Sequence, residues 1–413
     1  MIECFIYVPS RASKNLSAIS FIQLDTLPSN MFPGYNSPDL HLAHPTSEEK
    51  LATWNLNYEE WGKALPKSDY LHREQYLASV PLTSDDGMTY WCLVDKNAPP
   101  NSREIYASCE SLRKRAFLSK HGKVEEVIIH SVGSVFCAPK NRGHRYASRM
   151  MTELGKVLRT WQLDENIPER SQIPASILFS DIGKKFYADH GWLPFPSSHI
   201  ALPPIPKDPK VLESSLATAL KAEDIPDLCA LDVKYIRKVL ERAPPDTKTH
   251  IALLPDYATV QWHHLRENLM STSIFGHAPQ IKGAIAGTHP GSRVWAYWTR
   301  GYYGPIDNPA SGNCLHILRL VLEDEMDSDD NARNFEAVLR YAQMEAAEWK
   351  MNDVQFWNPT PLVEQLIARS SLRGEHVRVE REEESVASLM WYGEGEGTVE
   401  SVEWRGNEKY GWC

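Results

Sequence analysis

The sequence predicts an α/β chain in two parts, each built of strands in a mixed, mostly antiparallel sheet with helices laid on it. Three observations lead there. The 413 residues exceed what a single hydrophobic core ordinarily holds. Apolar runs with the period of a strand alternate with runs that have the period of a helix. The order strand, turn, helix, strand, helix also occurs once in each half of the chain.

Composition removes several classes of function. The net charge of −10 supplies no basic field for nucleic acid, and no apolar run approaches the roughly 18 residues that span a bilayer. Neither nucleic acid nor a membrane is an expected partner. The seven cysteines are scattered and form no CxxC, which argues against a disulfide framework and against a zinc site. A reducing, cytoplasmic compartment and no metal are the expectation. Residues 1–37 are expected to be a disordered extension; Arg11, Lys14 and several serines leave an organelle address open, but no amphipathic helix forms around Pro9.

Along the chain, a short strand from Leu40 to His44 precedes a helix opened by Thr46 and Glu49, which have the spacing of a capping box, and running to Ala64. A second helical segment covers Tyr70 to Val80. Thr89 to Asp95 and Glu104 to Leu112 alternate as antiparallel strands. Val127 to Cys137 is an apolar, β-branched strand that breaks at Pro139, turns through Asn141, Arg142 and Gly143, and feeds a helix with Ala147, Met150, Met151, Leu154 and Leu158 on one face. Such a turn aims free backbone N–H groups at one spot. The helix N-terminus carries about half a positive charge, and Arg142, His144 and Arg145 add donors, so the spot suits a phosphate. Ala175 to Ser180 is a strand, and Gly183 to His190 a short helix capped by Gly191.

The Pro-rich run from Phe195 to Lys210 cannot sustain a helix and is weak as a central strand. The expected division is therefore 38–202, a linker at 203–210, and 211–413. In the second half a helix from Asp224 to Leu240 is followed by strands at Ile281 to Ala286, Arg293 to Tyr303 and Leu315 to Leu322. A helix from Asn331 to Met351, a strand from Val354 to Trp357 and a helix from Pro361 to Arg369 complete the repeat. Where the first half has its basic turn, the second has six carboxylates between Glu323 and Asp330, which would repel a pyrophosphate. One phosphate-binding turn is expected, not two.

The string Arg142-Gly143-x-x-x-Ala147 after a Val-x-x-x-Pro strand resembles motif A of the GCN5-related N-acetyltransferases. The segments Ser47 to Trp54, Cys109 to Ala116, Ser134 to Gly143, Phe179 to Tyr187 and Asn407 to Cys413 are similar, in order, to the fungal lysine N-epsilon-acetyltransferase family, over about residues 38 to 413. The resemblance implies a tandem fold with helices on both sheet faces and a degenerate second copy. It also implies acetyl-CoA as co-substrate and transfer of acetyl to a small free amine, the ε-amino group of L-lysine in lysine catabolism. Val135, Phe136, Cys137, Arg142, Gly143, His144, Arg145, Tyr146 and Ala147 would hold the cofactor. One departure stands out: the family pattern has glycine where this chain has Arg145.

Acetyl transfer needs a held thioester, donors for the oxyanion, a base for the amine and an acid for the thiolate. Backbone N–H groups of Phe136 or Cys137 are the candidate oxyanion donors; Cys137 is either packing or a nucleophile. Tyr187, in Tyr187-Ala-Asp-His-Gly191-Trp192, matches the family pattern that sets a phenol near the CoA sulfur, and is otherwise a structural tyrosine. Asp181 either faces the cleft or caps the next helix. For the base the residues leave Glu110, Asp181, His130 and Glu126 open, and tandem relatives such as the myristoyltransferases add the chain's terminal carboxylate at Cys413. The aromatic group of Trp262, His263, His264, Trp295, Tyr297, Trp298, Tyr302 and Tyr303 either lines an amine pocket or is core. Two further readings remain. The acceptor is another amine, such as a polyamine or a secondary-metabolite intermediate, or the fold is a binding module that Arg145 has taken out of catalysis.

Overall fold

The computed structural model describes residues 32–164, 166–208, 215–242 and 248–412. The expectation for residues 1–37 lies almost wholly outside them, and that for Cys413 entirely so. Two sheets carry the fold. The first contains β1 (Leu40–Ala43), β2 (Met88–Asp95), β3 (Ile105–Lys120), β4 (Lys123–Phe136), β5 (Ala175–Ser180) and β6 (Leu193–Pro194). The second contains β7 (Ser198–Leu202) and β8 (Ala217–Lys221); β9 (Thr249–Leu253) returns to the first. Strands β10 (Ile281–Ala286), β11 (Val294–Gly301), β12 (Cys314–Leu322), β13 (Asp353–Trp357) and β14 (Val377–Glu380) fill the second, and β15 (Val386–Trp391) and β16 (Val402–Arg405) go back to the first. Most neighbours are antiparallel; β4 with β5, β12 with β13 and β16 with β9 are parallel.

The helices are α1 (Ser47–Trp61), α2 (Lys67–Leu77), α3 (Tyr146–Leu158), α4 (Lys185–Ala188), α5 (Ile225–Arg242), α6 (Tyr257–Phe275), α7 (Asp329–Glu348) and α8 (Pro361–Arg369). The capping box on α1 is formed: Glu49 N donates to Thr46 Oγ1 at 3.1 Å and Thr46 N to Glu49 Oε2 at 2.9 Å. Glu49 is buried and also holds Arg103 at 2.8 Å, which pins α1 to the loop between β2 and β3. Among the described residues no helix is long and apolar enough to cross a membrane.

Strand pairing crosses the stretch 203–210 in both directions. β15, near the chain's end, lies between β5 and β6, while β7, which precedes that stretch, lies between β14 and β13. The weak-strand reading of the Pro-rich run is corrected here. Pro194, Pro196, Pro203 and Pro204 flank β7 and leave its own five N–H groups free to pair. Sequence periodicity also passes over α6. That helix is buried around most of its circumference, with Trp262, His263, His264, Glu267 and Met270 all inside, so it has no apolar stripe.

The core has three principal parts. Val132, Tyr146, Met150, Leu154, Leu178, Tyr187 and Trp192 pack α3 and α4 on one face of the first sheet. On its other face, Val127, Ile129, Ile177, Ile251 and Leu389 meet Trp295, Tyr297, Leu318 and Val321 of the second sheet. A third cluster joins the second sheet to α7 and α8 through Trp298, Ile317, Phe335, Leu339 and Leu366. The aromatic group of the second half is therefore mainly core: Trp295, Tyr297, Trp298 and Tyr302 are at most 1% exposed.

Candidate functional site

β4 and β5 run in parallel only from His130 to Val132, opposite Ser176 to Leu178. Beyond that both continue, β4 to Phe136 and β5 to Ser180, with no pairing between them. A fork at the carboxyl ends of two parallel strands leaves backbone groups of the inner strand unpaired and facing the crevice. β4 is also bulged there. Ser108 and Glu110 of β3 pair with Phe136 and Gly133, so β4 carries one residue more than β3 across that interval, and Ser134 has φ +51°.

The turn after β4 is a 3₁₀ turn, Pro139–Asn141, followed by Gly143 at φ +80° and Arg145 at φ +63°. Arg145 is the residue before α3 and contributes no side-chain cap, so the first N–H groups of the helix stay available. Its left-handed backbone is the conformation glycine adopts without cost, which is the physical sense of glycine at this position in the family pattern. The side chains of the turn are engaged elsewhere. Arg145 lies 4.4 Å from the ring centroid of Tyr35 and donates to its hydroxyl at 3.1 Å. Arg142 donates to the Cys137 carbonyl at 3.0 Å and to Glu60 of α1 at 3.1 Å. His144 stacks on Phe32 and Tyr146, whose hydroxyl donates to Pro33 O at 2.7 Å. Ala147, half-buried, sits in the first turn of the helix.

Beside the bulge a narrow pocket is lined by Thr53, Trp54 and Asn57 of α1, Tyr90 of β2, Glu110 of β3 and Ser134 of β4. Ser134 Oγ donates to Glu110 Oε1 at 2.8 Å. Burial, and then the neighbouring Glu74 carboxylate, push the Glu110 carboxyl up to about 7, against the lowering effect of the Ser134 bond. A carboxylate with that proton affinity exchanges protons near neutrality. Along the chain, Val135 to Ala138 separate Ser134 of this pocket from the turn, and Phe136 packs its ring on Trp61 of α1.

The other candidates fall in different places. His130 is 1% exposed, contacts Gln162 Oε1 at 3.2 Å and is pushed down to about 4 by burial. Glu126 is held by Arg115 at 2.5 Å. Asp181 does not cap α4, whose preceding residue is Lys184; it accepts from Ser385 N at 2.9 Å and so tethers the start of β15 to the end of β5. Cys137 is buried with its thiol on the Tyr106 carbonyl at 3.3 Å. Val135 is half-buried and packs beside the cluster of α3. Tyr187 belongs to that cluster with Val132, Leu178 and Tyr146. Among the described residues no group of three or more His, Cys, Asp or Glu is placed to hold a metal ion.

Sequence reasoning missed Ser134, Glu74 and Trp54. Their roles depend on the register of β3 with β4 and on how α1 and α2 lie across it, which local periodicity does not carry.

The chain was compared with known proteins. The family described as the LYC1 GNAT-like C-terminal domain matches residues 199–413. A lysine acetyltransferase of Yarrowia lipolytica is 23% identical over 297 residues, 64% of this chain and 73% of that protein. An uncharacterised protein of Saccharomyces cerevisiae is 26% identical over 184 residues, 39% of this chain and 45% of that protein. Among solved structures, a GCN5-related N-acetyltransferase from Kribbella flavida aligns over 85% of this chain and 71% of its own, with a TM-score of 0.46 and 13% identity. The N-myristoyltransferase of Saccharomyces cerevisiae, solved with bound myristoyl-CoA, covers 86% and 79% at a TM-score of 0.45 and 9% identity. With more than half of its length matched by the family profile, this chain belongs to the LYC1 GNAT-like family of N-acetyltransferases.

Proposed function

We propose that the protein transfers the acetyl group of acetyl-CoA to the ε-amino group of L-lysine by direct attack within a ternary complex. The observation that carries this reading is Glu110, a carboxylate near pKa 7 in a pocket that adjoins the fork and the basic turn. Glu110 takes a proton from the incoming ammonium, and the freed nitrogen lone pair forms the C–N bond to the thioester carbonyl. Backbone N–H groups at Phe136 and Cys137, where β4 ends beside the fork, are the oxyanion donors in this reading. As the C–S bond breaks, Tyr187, packed in the cluster of α3, protonates the departing thiolate, and the second proton that the nitrogen sheds on becoming an amide restores the phenol. The open N–H groups at the start of α3, with Gly143 leaving the turn uncrowded, hold the pyrophosphate.

The lysine acceptor is supported by the family resemblance and by the name of the Yarrowia relative. Scattered cysteines support a reducing, cytoplasmic setting. The test is release of the CoA thiol with L-lysine, followed in the wild type and in Glu110→Gln. Loss of a positioned general base lowers kcat by about 100- to 10,000-fold. Full activity of Glu110→Gln would remove Glu110 from the mechanism, and absence of thiol release with any amine would remove the enzyme reading.

A further inference from the structure

Several cations inside this protein are matched by carboxylates. Arg300 lies between Glu267 and Glu345 at 2.5 Å from each, Lys282 is 2.6 Å from Glu267, and Arg319 is 2.7 Å from Asp232. Others are not: Lys114, 2% exposed, donates to the Gly411 carbonyl at 2.9 Å, and three further cations gather on two indoles. Lys409, 3% exposed, sets its ammonium 4.5 Å from the ring centroid of Trp357 and 3.8 Å from that of Trp412. Arg381, 7% exposed, lies 3.9 Å from the Trp357 centroid, and Arg266 lies 5.9 Å from the Trp412 centroid. The three cations and two indoles thus form a row: Arg381, Trp357, Lys409, Trp412, Arg266. Among the described residues none of the three cations has a carboxylate within ion-pair distance.

Cation–aromatic contacts alone compensate little of the cost of burying Lys409 and Arg381 beside the half-buried Arg266. The cost is visible in their acidities: burial pushes Lys409 down to about 7, Arg381 to about 9 and Arg266 to about 10. Two donors in the row are also left without acceptors, Arg381 Nη2 and Trp357 Nε1. Asp181 acts on Lys409 only at longer range, and its Oδ1 is already occupied by Ser385 N. Uncompensated cations beside orphaned donors are the signature of a site for an anion.

The row lies beside the strand that carries Glu110: Leu112, two residues further along β3 and on the same face, belongs to the apolar cluster against which Trp412 packs. Burial raises the pKa of the Tyr70 phenol, Glu74 and Glu110 push it the same way, and Arg73 and Arg266 oppose them. Tyr70 therefore sits in the field of both Glu110 and Arg266. Glu110 suits an ammonium; the row of cations suits the opposite charge. We propose that the row formed by Arg266, Lys409 and Arg381 on Trp357 and Trp412 binds the carboxylate of the acceptor, so that the enzyme takes an amino acid and rejects the diamine of the same length. The inference rests on the acceptor reading given above and specifies its class.

The experiment compares L-lysine with cadaverine, which keeps both amines and lacks the carboxylate. Calorimetric binding in the presence of CoA and thiol release with acetyl-CoA are measured on the wild type, Lys409→Met and Arg266→Met. The wild type is expected to prefer lysine by about 10- to 100-fold, the scale of charge-assisted hydrogen bonds. Each variant is expected to bring that ratio toward one while leaving cadaverine unchanged. Lys409→Met removes an uncompensated buried charge, so it is also expected to raise the melting temperature of the ligand-free protein, which separates a lost contact from a lost fold. Equal binding of the two amines to the wild type, or equal loss of both in the variants, overturns the proposal. Appending two glycines after Cys413 provides the second arm. If the extension abolishes the effect of Lys409→Met on melting and leaves lysine preference intact, the row serves the chain's own carboxylate and the proposal falls. Binding is read independently of turnover, so failure of acetyl transfer and failure of carboxylate recognition are distinguishable.

Discussion

Ser134 donates to Glu110 Oε1 at 2.8 Å from the bulged stretch of β4, where its own φ is +51°. The strained backbone places the hydroxyl where it stabilises the ionised carboxylate, while Glu74 destabilises that same form.

These two neighbours predict opposite shifts of the pH profile. The base acts deprotonated, so kcat/KM rises with pH through about 7. Ser134→Ala removes a bond to the charged form and moves the rising limb to higher pH. Glu74→Gln removes a like charge and moves it to lower pH. Limbs that do not move in either variant would detach Glu110 from the profile.

Arg145→Gly tests the departure from the family pattern. The backbone already holds the left-handed conformation, and the guanidinium is committed to Tyr35. Relief of a non-glycine residue there, about 1 kcal/mol, is offset by loss of the Tyr35 contact, so stability should change little. Acetyl-CoA affinity by calorimetry is expected to stay within about threefold of wild type. A loss above about tenfold would make the arginine a phosphate ligand, and a gain of that size would make it an obstruction.

Glu49 links stability to acid. Its hydrogen bond with Arg103 holds the carboxyl near 2, below the ordinary 4.5. The contribution is complete above about pH 4.5 and is lost as pH falls through about 2. Glu49→Gln should therefore cost roughly 2 to 3 kcal/mol in urea unfolding at pH 7 and distinctly less near pH 3. An equal cost at both values would assign the loss to packing of α1.

A fragment ending at residue 205 is expected not to fold by itself. It lacks β9, β15 and β16, leaving one edge of β5 and the edge of β3 from Ala116 to Ser119 without partners. Circular dichroism and thermal melting decide the matter; a cooperative transition would show that the first half is autonomous.

The sequence by itself determined the local elements whose signals are local. The capping box at Thr46 and Glu49, the strand, turn and helix from Val127 to Leu158, and the single basic turn follow from residue spacing. Glu110 was legible as one of several carboxylates. Only the tertiary structure decided that it stands opposite the bulge with Ser134 on one oxygen, that Asp181 is tied to Ser385, and that β15 closes the first sheet from the far end of the chain. Only it could bring Arg266 of α6 and Lys409 to the same indole. The reason is physical: capping and periodicity act over a few residues, whereas proton affinity and charge compensation depend on which distant side chains share a low-dielectric interior.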